Sequence, residues 1–109
     1  MAYDPGHAEL MQEALGDTQN ISEKKMFDGL CFMLNGHMVC GVHKDGGMAR
    51  VDKQAEPDAL LIEGIAPLSF TGRKMGGMVD VSEDVLSDNI RLEKIVSMAL
   101  DYAKSLPPK

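Results

Sequence analysis

Three dipeptides that favour tight turns divide the middle of this chain at near-regular spacing: Asp28-Gly29, Asn35-Gly36 and Asp45-Gly46. Asn-Gly and Asp-Gly tolerate positive φ at both central positions of a type I′ turn, whose twist suits a β-hairpin. The runs between these dipeptides are short and rich in Leu, Phe, Met, Val and Cys. Residues 21–51 therefore predict an antiparallel meander of four strands, which the rest of the chain has to cover.

Helix signals lie on both sides of this meander. Asp4 is a suitable N-cap, Pro5 suits the first helical position, and Gly16 follows the last apolar residue of the stripe, so a first helix is predicted between them. A second, short helix is predicted between Pro57 and Gly64.

The remaining chain predicts two more strands and the longest helix. Residues 67–71 alternate between apolar and polar, and a loop over 72–77 leads to a last strand over 78–81. From Ser87 or Asp88, apolar residues recur every three or four positions until Pro107 ends the pattern. The prediction is a single α+β domain over residues 1–109: a two-layer fold with an antiparallel sheet (four-strand meander plus C-terminal two-strand hairpin) covered by helices, in the order α-β4-α-β2-α.

Charge and composition exclude several classes of protein. The chain has 11 Lys and Arg against 17 Asp and Glu, a net charge of −6, which argues against direct nucleic-acid binding. No segment is apolar for long enough to cross a bilayer, and the N-terminal residues show no signal-peptide pattern. We therefore expect a cytoplasmic protein without membrane contact, whose cysteines are reduced.

Counting outward from the three turns predicts the faces of the sheet. If each turn is a two-residue loop, Phe32 pairs with Val39 and Cys31 with Cys40, and paired side chains share one face. The face predicted to lie under the helices collects Met26, Cys31, Met33, Met38, Cys40, Val42, Ala49 and Val51. The opposite face is apolar in its centre and charged at its rim, which is typical of an interaction surface. Its predicted members are Phe27, Leu30, Phe32, Leu34, Val39 and Arg50, and either a homodimer or partner, or another helix or loop, would cover them.

The cysteines and histidines are the first candidates for chemistry. On this register Cys31 and Cys40 form a pair whose Cα separation falls at the short end of the disulfide range, so they are either two reduced buried thiols or a redox switch. His37 and His43 fall on the other face, and no CxxC or HxxxH spacing is present. We therefore predict no metal site and no cofactor.

The remaining candidate is the glycine-rich loop formed by Gly72, Arg73, Lys74, Gly76 and Gly77. Its backbone amides and two cationic side chains suit an anion such as a phosphate or carboxylate, while the alternative is a flexible hairpin connection. The loop lacks the GxxxxGK[ST] pattern of a P-loop. No catalytic residue is predicted.

Two groups of motifs resemble the TfoX N-terminal domain family, known from Sxy competence regulators. The first is Lys25-Met26-Phe27-Asp28-Gly29-Leu30, followed by Leu34-Asn35-Gly36 and Ala49-Arg50-Val51. The second runs from Phe70 to Val81 and is similar to the family's F-T-G-R-x-M-x-G-x-V-x-V segment. Asp28 replaces a glycine that is usual in the family, and Lys74 stands where proline is frequent. The resemblance implies helices packed on a mostly antiparallel sheet, and it implies no catalytic residues.

The sequence thus predicts a small non-enzymatic cytoplasmic domain that acts in regulation or protein interaction, with a protein partner or a second copy of itself. The alternative is a small anionic-ligand-binding protein, or a minor enzyme, that uses the loop from Gly72 to Gly77.

Overall fold

The first and the last helix each begin directly after an aspartate whose side chain caps it. In the computed structural model, which describes residues 4–16, 18, 20–26, 29–44, 46–70 and 73–107, helix α1 spans Pro5–Leu15. The Asp4 carboxylate accepts a hydrogen bond of 2.8 Å from the Gly6 amide, and Gly16 ends the helix with a φ of 60°. These contacts confirm the predicted first helix.

Three further helices follow the meander. Helix α2 is Glu56–Leu60, α3 is Glu83–Leu86 and α4 is Asn89–Ser105. The Asp88 carboxylate caps α4 by accepting from the amides of Ile90 and Arg91, at 3.0 and 3.3 Å. The short helix α3 has no counterpart in the sequence prediction.

In the part of the chain that the structure describes, six strands form one antiparallel sheet in the order β1-β2-β3-β4-β6-β5. The strands are β1 Ile21–Met26, β2 Gly29–Leu34, β3 His37–His43, β4 Gly46–Arg50, β5 Ile65–Phe70 and β6 Arg73–Val81. Because β6 pairs with β4, the C-terminal hairpin extends the meander into a single sheet. The predicted α+β class is confirmed. Strand β6 begins at Arg73, however, so residues 73–77 are not the loop that was expected.

The central hairpin follows the predicted register only near its turn. Asn35 and Gly36 have φ angles of 52° and 88°, the positive values that a type I′ turn requires. Met33 pairs with Met38 as predicted, but a bulge follows, and Phe32 pairs with Cys40. The predicted Phe32–Val39 and Cys31–Cys40 pairs are wrong, because Val39 is an extra residue on β3 and Cys31 lies opposite Gly41.

The two outer turns lie one residue earlier than predicted. Met26 pairs with Gly29, and His43 pairs with Gly46, so each glycine belongs to a strand and not to the turn. Moving a turn by one residue shifts the pairing by two, and a shift of two keeps every side chain on its face. These errors therefore leave the assignment of faces intact, whereas the bulge changes it.

After the bulge, the large apolar side chains of β2 and β3 share the face that lies under the helices. Phe32 is 1% exposed and Val39 is fully buried, and both belong to the main core with side chains of α1 and α4. The predicted interaction surface is therefore wrong for its central members, since all of them are buried: Leu30, Phe32, Leu34 and Val39. Phe27 lies outside the described residues. Arg50 lies with its guanidinium carbon 5.3 Å from the centre of the Tyr102 ring on α4.

The other face of the sheet carries a methionine cluster, formed by Cys31, Met38, Met48 and Met78, with Met33 packed against it. The prediction placed Cys31, Met33 and Met38 under the helices, and this is wrong. Among the described residues, every member of the cluster comes from a strand. The bulge separates these residues from Cys40, Val42, Ala49 and Val51, which belong to the main core.

Burial of Phe32 gives the first testable prediction. Phe32→Ala should lower the free energy of unfolding by about 3–5 kcal/mol, because it removes a fully packed ring and leaves a cavity. Leu61→Ala is the matched control: Leu61 is 83% exposed, so its truncation should change the value by less than about 0.5 kcal/mol. Urea denaturation of both variants measures this. Equal stabilities of the two variants would contradict the assignment of Phe32 to the core.

Candidate interaction groove

One side of helix α4 is buried against the sheet, and the opposite side is exposed to solvent. The buried stripe recurs every three or four residues and packs into the main core through Leu92, Ile95, Val96, Ala99, Leu100 and Ala103. Ile90, Lys94, Ser97 and Asp101 lie on the exposed side, with Met98 half-buried beside them. The helix thus has a face free for contact along its whole length.

Arg91 fixes the start of α4 against the segment that follows α2. Its Nε donates to Asp88 Oδ2 at 2.8 Å, and its Nη1 donates to the backbone oxygen of Glu63 at 2.9 Å. The hydrogen bond from Arg91 also lowers the pKa of the Asp88 carboxyl group. Arg91 thus stabilises the ionised form of the capping residue and ties the start of α4 to the segment after α2.

A groove of about 620 Å³ lies between these two segments. Its lining comes from α2 and the residues after it, and from the first half of α4: Asp58, Leu61, Ile62, Glu63, Ile90, Arg91, Lys94 and Met98. Leu61 and Ile90 are 83% and 81% exposed. Two large aliphatic side chains so fully in water, beside a groove, are typical of a contact site.

A second hollow of about 270 Å³ continues the groove toward the end of α4. It is lined by Asp52, Ala55, Met98, Asp101, Tyr102 and Ser105. Met98 lines both hollows. Since residues 58–63 flank the first half of α4 and residues 52–55 flank the second half, the two walls run antiparallel. We call the two hollows together the α4 groove.

Charge along the α4 groove is uneven. On α4 itself, Lys94 lies in the first half and Asp101 in the second half, seven residues later. Both side chains are exposed, and among the described residues neither has a hydrogen bond or ion pair. On α4, Lys94 and Asp101 therefore offer one cation and one anion that a binding partner can pair with, and the opposite wall adds the exposed carboxylates of Asp52, Asp58 and Glu63.

The predicted anion loop is arranged differently from the prediction. Gly72 lies outside the described residues, and the backbone of Arg73, Lys74 and Gly76 belongs to β6. The Gly77 amide donates to Glu56 Oε2 at 2.8 Å, and its carbonyl accepts from the Val51 amide at 2.7 Å. The amide of Gly77 thus already holds a carboxylate of the chain itself.

The two cysteines are buried free thiols. Cys31 belongs to the methionine cluster and Cys40 to the main core, so they lie on opposite faces of the sheet. Burial raises the pKa of Cys31 to about 11, and burial, with a smaller contribution from Cys31, raises the pKa of Cys40. Both thiols are therefore poor nucleophiles at neutral pH, which favours their interpretation as small apolar side chains over a redox switch.

Two of the three histidines, His37 and His43, join separate parts of the fold. His37 Nε2 lies 2.6 Å from the backbone oxygen of Pro107, which holds the end of the chain to the central hairpin. His43 Nε2 lies 2.9 Å from Asp80 Oδ1. Within the described part of the chain, no three His, Cys, Asp or Glu side chains converge in a way that would hold a metal ion. None of the helices described there has the length and hydrophobicity needed to cross a membrane.

Sequence reasoning missed the α4 groove, although two signals were present. Leu60, Leu61 and Ile62 are consecutive, and a helical turn cannot direct all three toward one core. Ile90 lies on the polar side of an otherwise regular amphipathic helix. Each is an isolated exception to a pattern, and only the packing of α2 beside α4 brings the two together.

A comparison with protein families adds one finding. The family model for the TfoX N-terminal domain matches residues 13–103. The chain belongs to the TfoX N-terminal domain family. Searches of curated proteins and of solved structures gave no match.

The motifs that carry the TfoX family resemblance lie on the sheet. Leu34-Asn35-Gly36 lies at the turn of the central hairpin, Phe70 is the last residue of β5, and residues 73–81 form β6. Gly77, which has a φ of 81°, lies in this second motif, where an added Cβ would come within 2.7 Å of the Val51 oxygen. These motifs therefore specify hairpins of the TfoX fold, while Leu61, Ile90, Lys94 and Met98 lie outside them.

The contact between Gly77 and Glu56 gives a second prediction. Glu56→Ala should lower the free energy of unfolding by about 1–3 kcal/mol, because the Gly77 amide loses its acceptor. Glu56→Gln keeps an acceptor oxygen at the same place, so it should lower the free energy of unfolding by clearly less than Glu56→Ala does. Urea denaturation distinguishes the two variants. If they are equally destabilised, the hydrogen bond to Gly77 does not contribute.

The raised thiol pKa values give a third prediction. At pH values between the ordinary thiol pKa of about 8.5 and the pKa of about 11 for Cys31, Cys31 loses its proton in the unfolded chain and retains it in the folded chain. The free energy of unfolding should therefore fall as pH rises through this range. Cys31→Ala should reduce that fall. Denaturation midpoints of wild type and variant across this range measure the difference, and parallel curves would rule the contribution out.

Proposed function

We propose that this TfoX-family domain is a non-enzymatic regulatory or protein-interaction domain of the cytoplasm, and that it binds its partner through the α4 groove. The observation that carries the proposal is the pair of exposed aliphatic side chains, Leu61 and Ile90, beside a groove of about 620 Å³. Concave surfaces with apolar contacts and a polar rim are characteristic of protein-binding sites.

The edges of the sheet support the groove as the binding surface. Strand β1 is one edge, and Glu23, Lys24 and Lys25 are exposed along it. Strand β5 is the other edge, and it carries Pro67, which lacks the amide that an added strand needs. Charged residues and proline at an edge oppose pairing with another chain. The α4 groove is therefore a better contact surface than either edge of the sheet.

The resemblance of the motifs to competence regulators supports a role in regulation. The α4 groove lies outside those motifs, so family members with the same sheet can differ in the surface they present. Binding of a small anion through residues 72–77 receives less support, because the Gly77 amide already donates to Glu56.

Site-specific photo-crosslinking tests the proposal. A photoreactive amino acid is introduced at position 61 or, separately, at position 90, and the full chain is irradiated in native cells. Both positions should give the same discrete adduct, since they line one groove. An additional Lys94→Glu substitution should weaken this adduct by altering the charge beside the groove.

The matched control carries the same photoreactive group at position 24, which is exposed on β1. It should give none of the adducts found at positions 61 and 90. If all three positions give the same pattern, or the groove positions give no adduct, then binding through the α4 groove is refuted.

A further inference from the structure

Resting on this proposed function, we infer that the α4 groove binds a second copy of the chain, with the two α4 helices antiparallel about a two-fold axis at the level of Ser97 and Met98. Two features of α4 favour this arrangement: its exposed charges of opposite sign, and an exposed Ile90 near its beginning with a hollow near its end.

The charges provide the first feature. Lys94 and Asp101 are exposed, lack partners among the described residues, and lie seven positions apart on one helix. Seven residues are nearly two helical turns, or roughly 10 Å along the axis, so both side chains project on the same side. In an antiparallel pair, Lys94 of each copy meets Asp101 of the other, and two identical ion pairs form.

The shape provides the second feature. Ile90 is 81% exposed at the beginning of α4, and the hollow lined by Ala55, Tyr102 and Ser105 lies at its end. Antiparallel packing places Ile90 of one copy at the level of Ser105 of the other. The aliphatic side chain then enters the partner's hollow, and each copy fills the empty space of the other.

Both features require the same axis. The midpoint between positions 94 and 101 and the midpoint between positions 90 and 105 coincide, between Ser97 and Met98. A single two-fold rotation therefore brings both pairs of positions to the same level along the helix axis. Leu61, on the opposite wall of the groove, adds apolar surface beside Ile90.

The contact is small, so the dimer should be weak and dependent on concentration. Its ion pairs are exposed, and added salt should weaken it further. These properties suit a domain that is regulated through its association state, and they make the dimer measurable by sedimentation velocity over a series of protein concentrations at low salt.

Charge reversal is the decisive experiment. Lys94→Glu or Asp101→Lys alone should raise the dissociation constant roughly tenfold, since each change affects both symmetric ion pairs. The double variant Lys94→Glu/Asp101→Lys restores opposite charges and should recover most of the affinity. Lys24→Glu changes the net charge as Lys94→Glu does, but on β1, and should leave the dimer intact. Circular dichroism confirms folding of each variant.

A cysteine at the axis gives an independent measurement. In Ser97→Cys the two introduced thiols meet across the two-fold axis, so mild oxidation should give a covalent dimer. Ser105 is also exposed, but it lies far from the two-fold axis. Ser105→Cys should therefore give little covalent dimer.

The outcomes separate this inference from the proposed function. A wild-type chain that stays monomeric, or a double variant without recovery, overturns the two-fold dimer. If positions 61 and 90 then crosslink to a different protein, the groove is still a binding site, whereas adducts at twice the mass of the chain support the dimer. If no adduct forms, both proposals fail.

Discussion

The extra residue at Val39 determines which side chains of this domain meet. Before the bulge, Met33 pairs with Met38, and after it Phe32 pairs with Cys40. This single insertion brings Cys40 and Val42 of β3, and Ala49 of β4, to the same face as Leu30, Phe32 and Leu34. With a continuous register, the face under the helices would consist mainly of methionine and cysteine, and the phenylalanine would face away. The bulge places the ring in the core and the methionines on the far face.

Burial of that face decides where the domain can bind. Because α1 and α4 cover Phe32 and Val39, the centre of the sheet is not available to a partner. On the far face, the members of the methionine cluster are nearly all buried as well. Among the residues that the structure describes, the large apolar side chains left in water lie beside α4, at Leu61 and Ile90. A chain that packs its sheet this completely leaves its exposed apolar side chains on the helical layer.

Local features of the fold were predictable from the sequence, and long-range features were not. Asp4 and Asp88 cap α1 and α4 as their residue types suggest, and Asn35-Gly36 has the positive φ angles of its turn. Each depends on neighbours within a few residues. The bulge depends on contacts between strands, and Gly41, two residues after the extra residue Val39, is paired regularly with Cys31. A Cβ there would lie 2.7 Å from the Leu30 oxygen, so only glycine allows this approach. The α4 groove joins residues from two distant segments, and no local pattern predicts which segments will be adjacent.

The division between motif and groove suggests how such a domain acquires a particular partner. The TfoX motifs lie in hairpins, where glycines such as Gly77 permit contacts that no other residue allows. Substitution there changes the sheet itself. Lys94, Asp101 and Ile90 are exposed on one flank of α4, where substitution costs little stability. The flank can therefore change while the scaffold is kept. In this chain it carries opposite charges two turns apart and an apolar side chain opposite a hollow, an arrangement that favours a copy of itself over an unrelated surface.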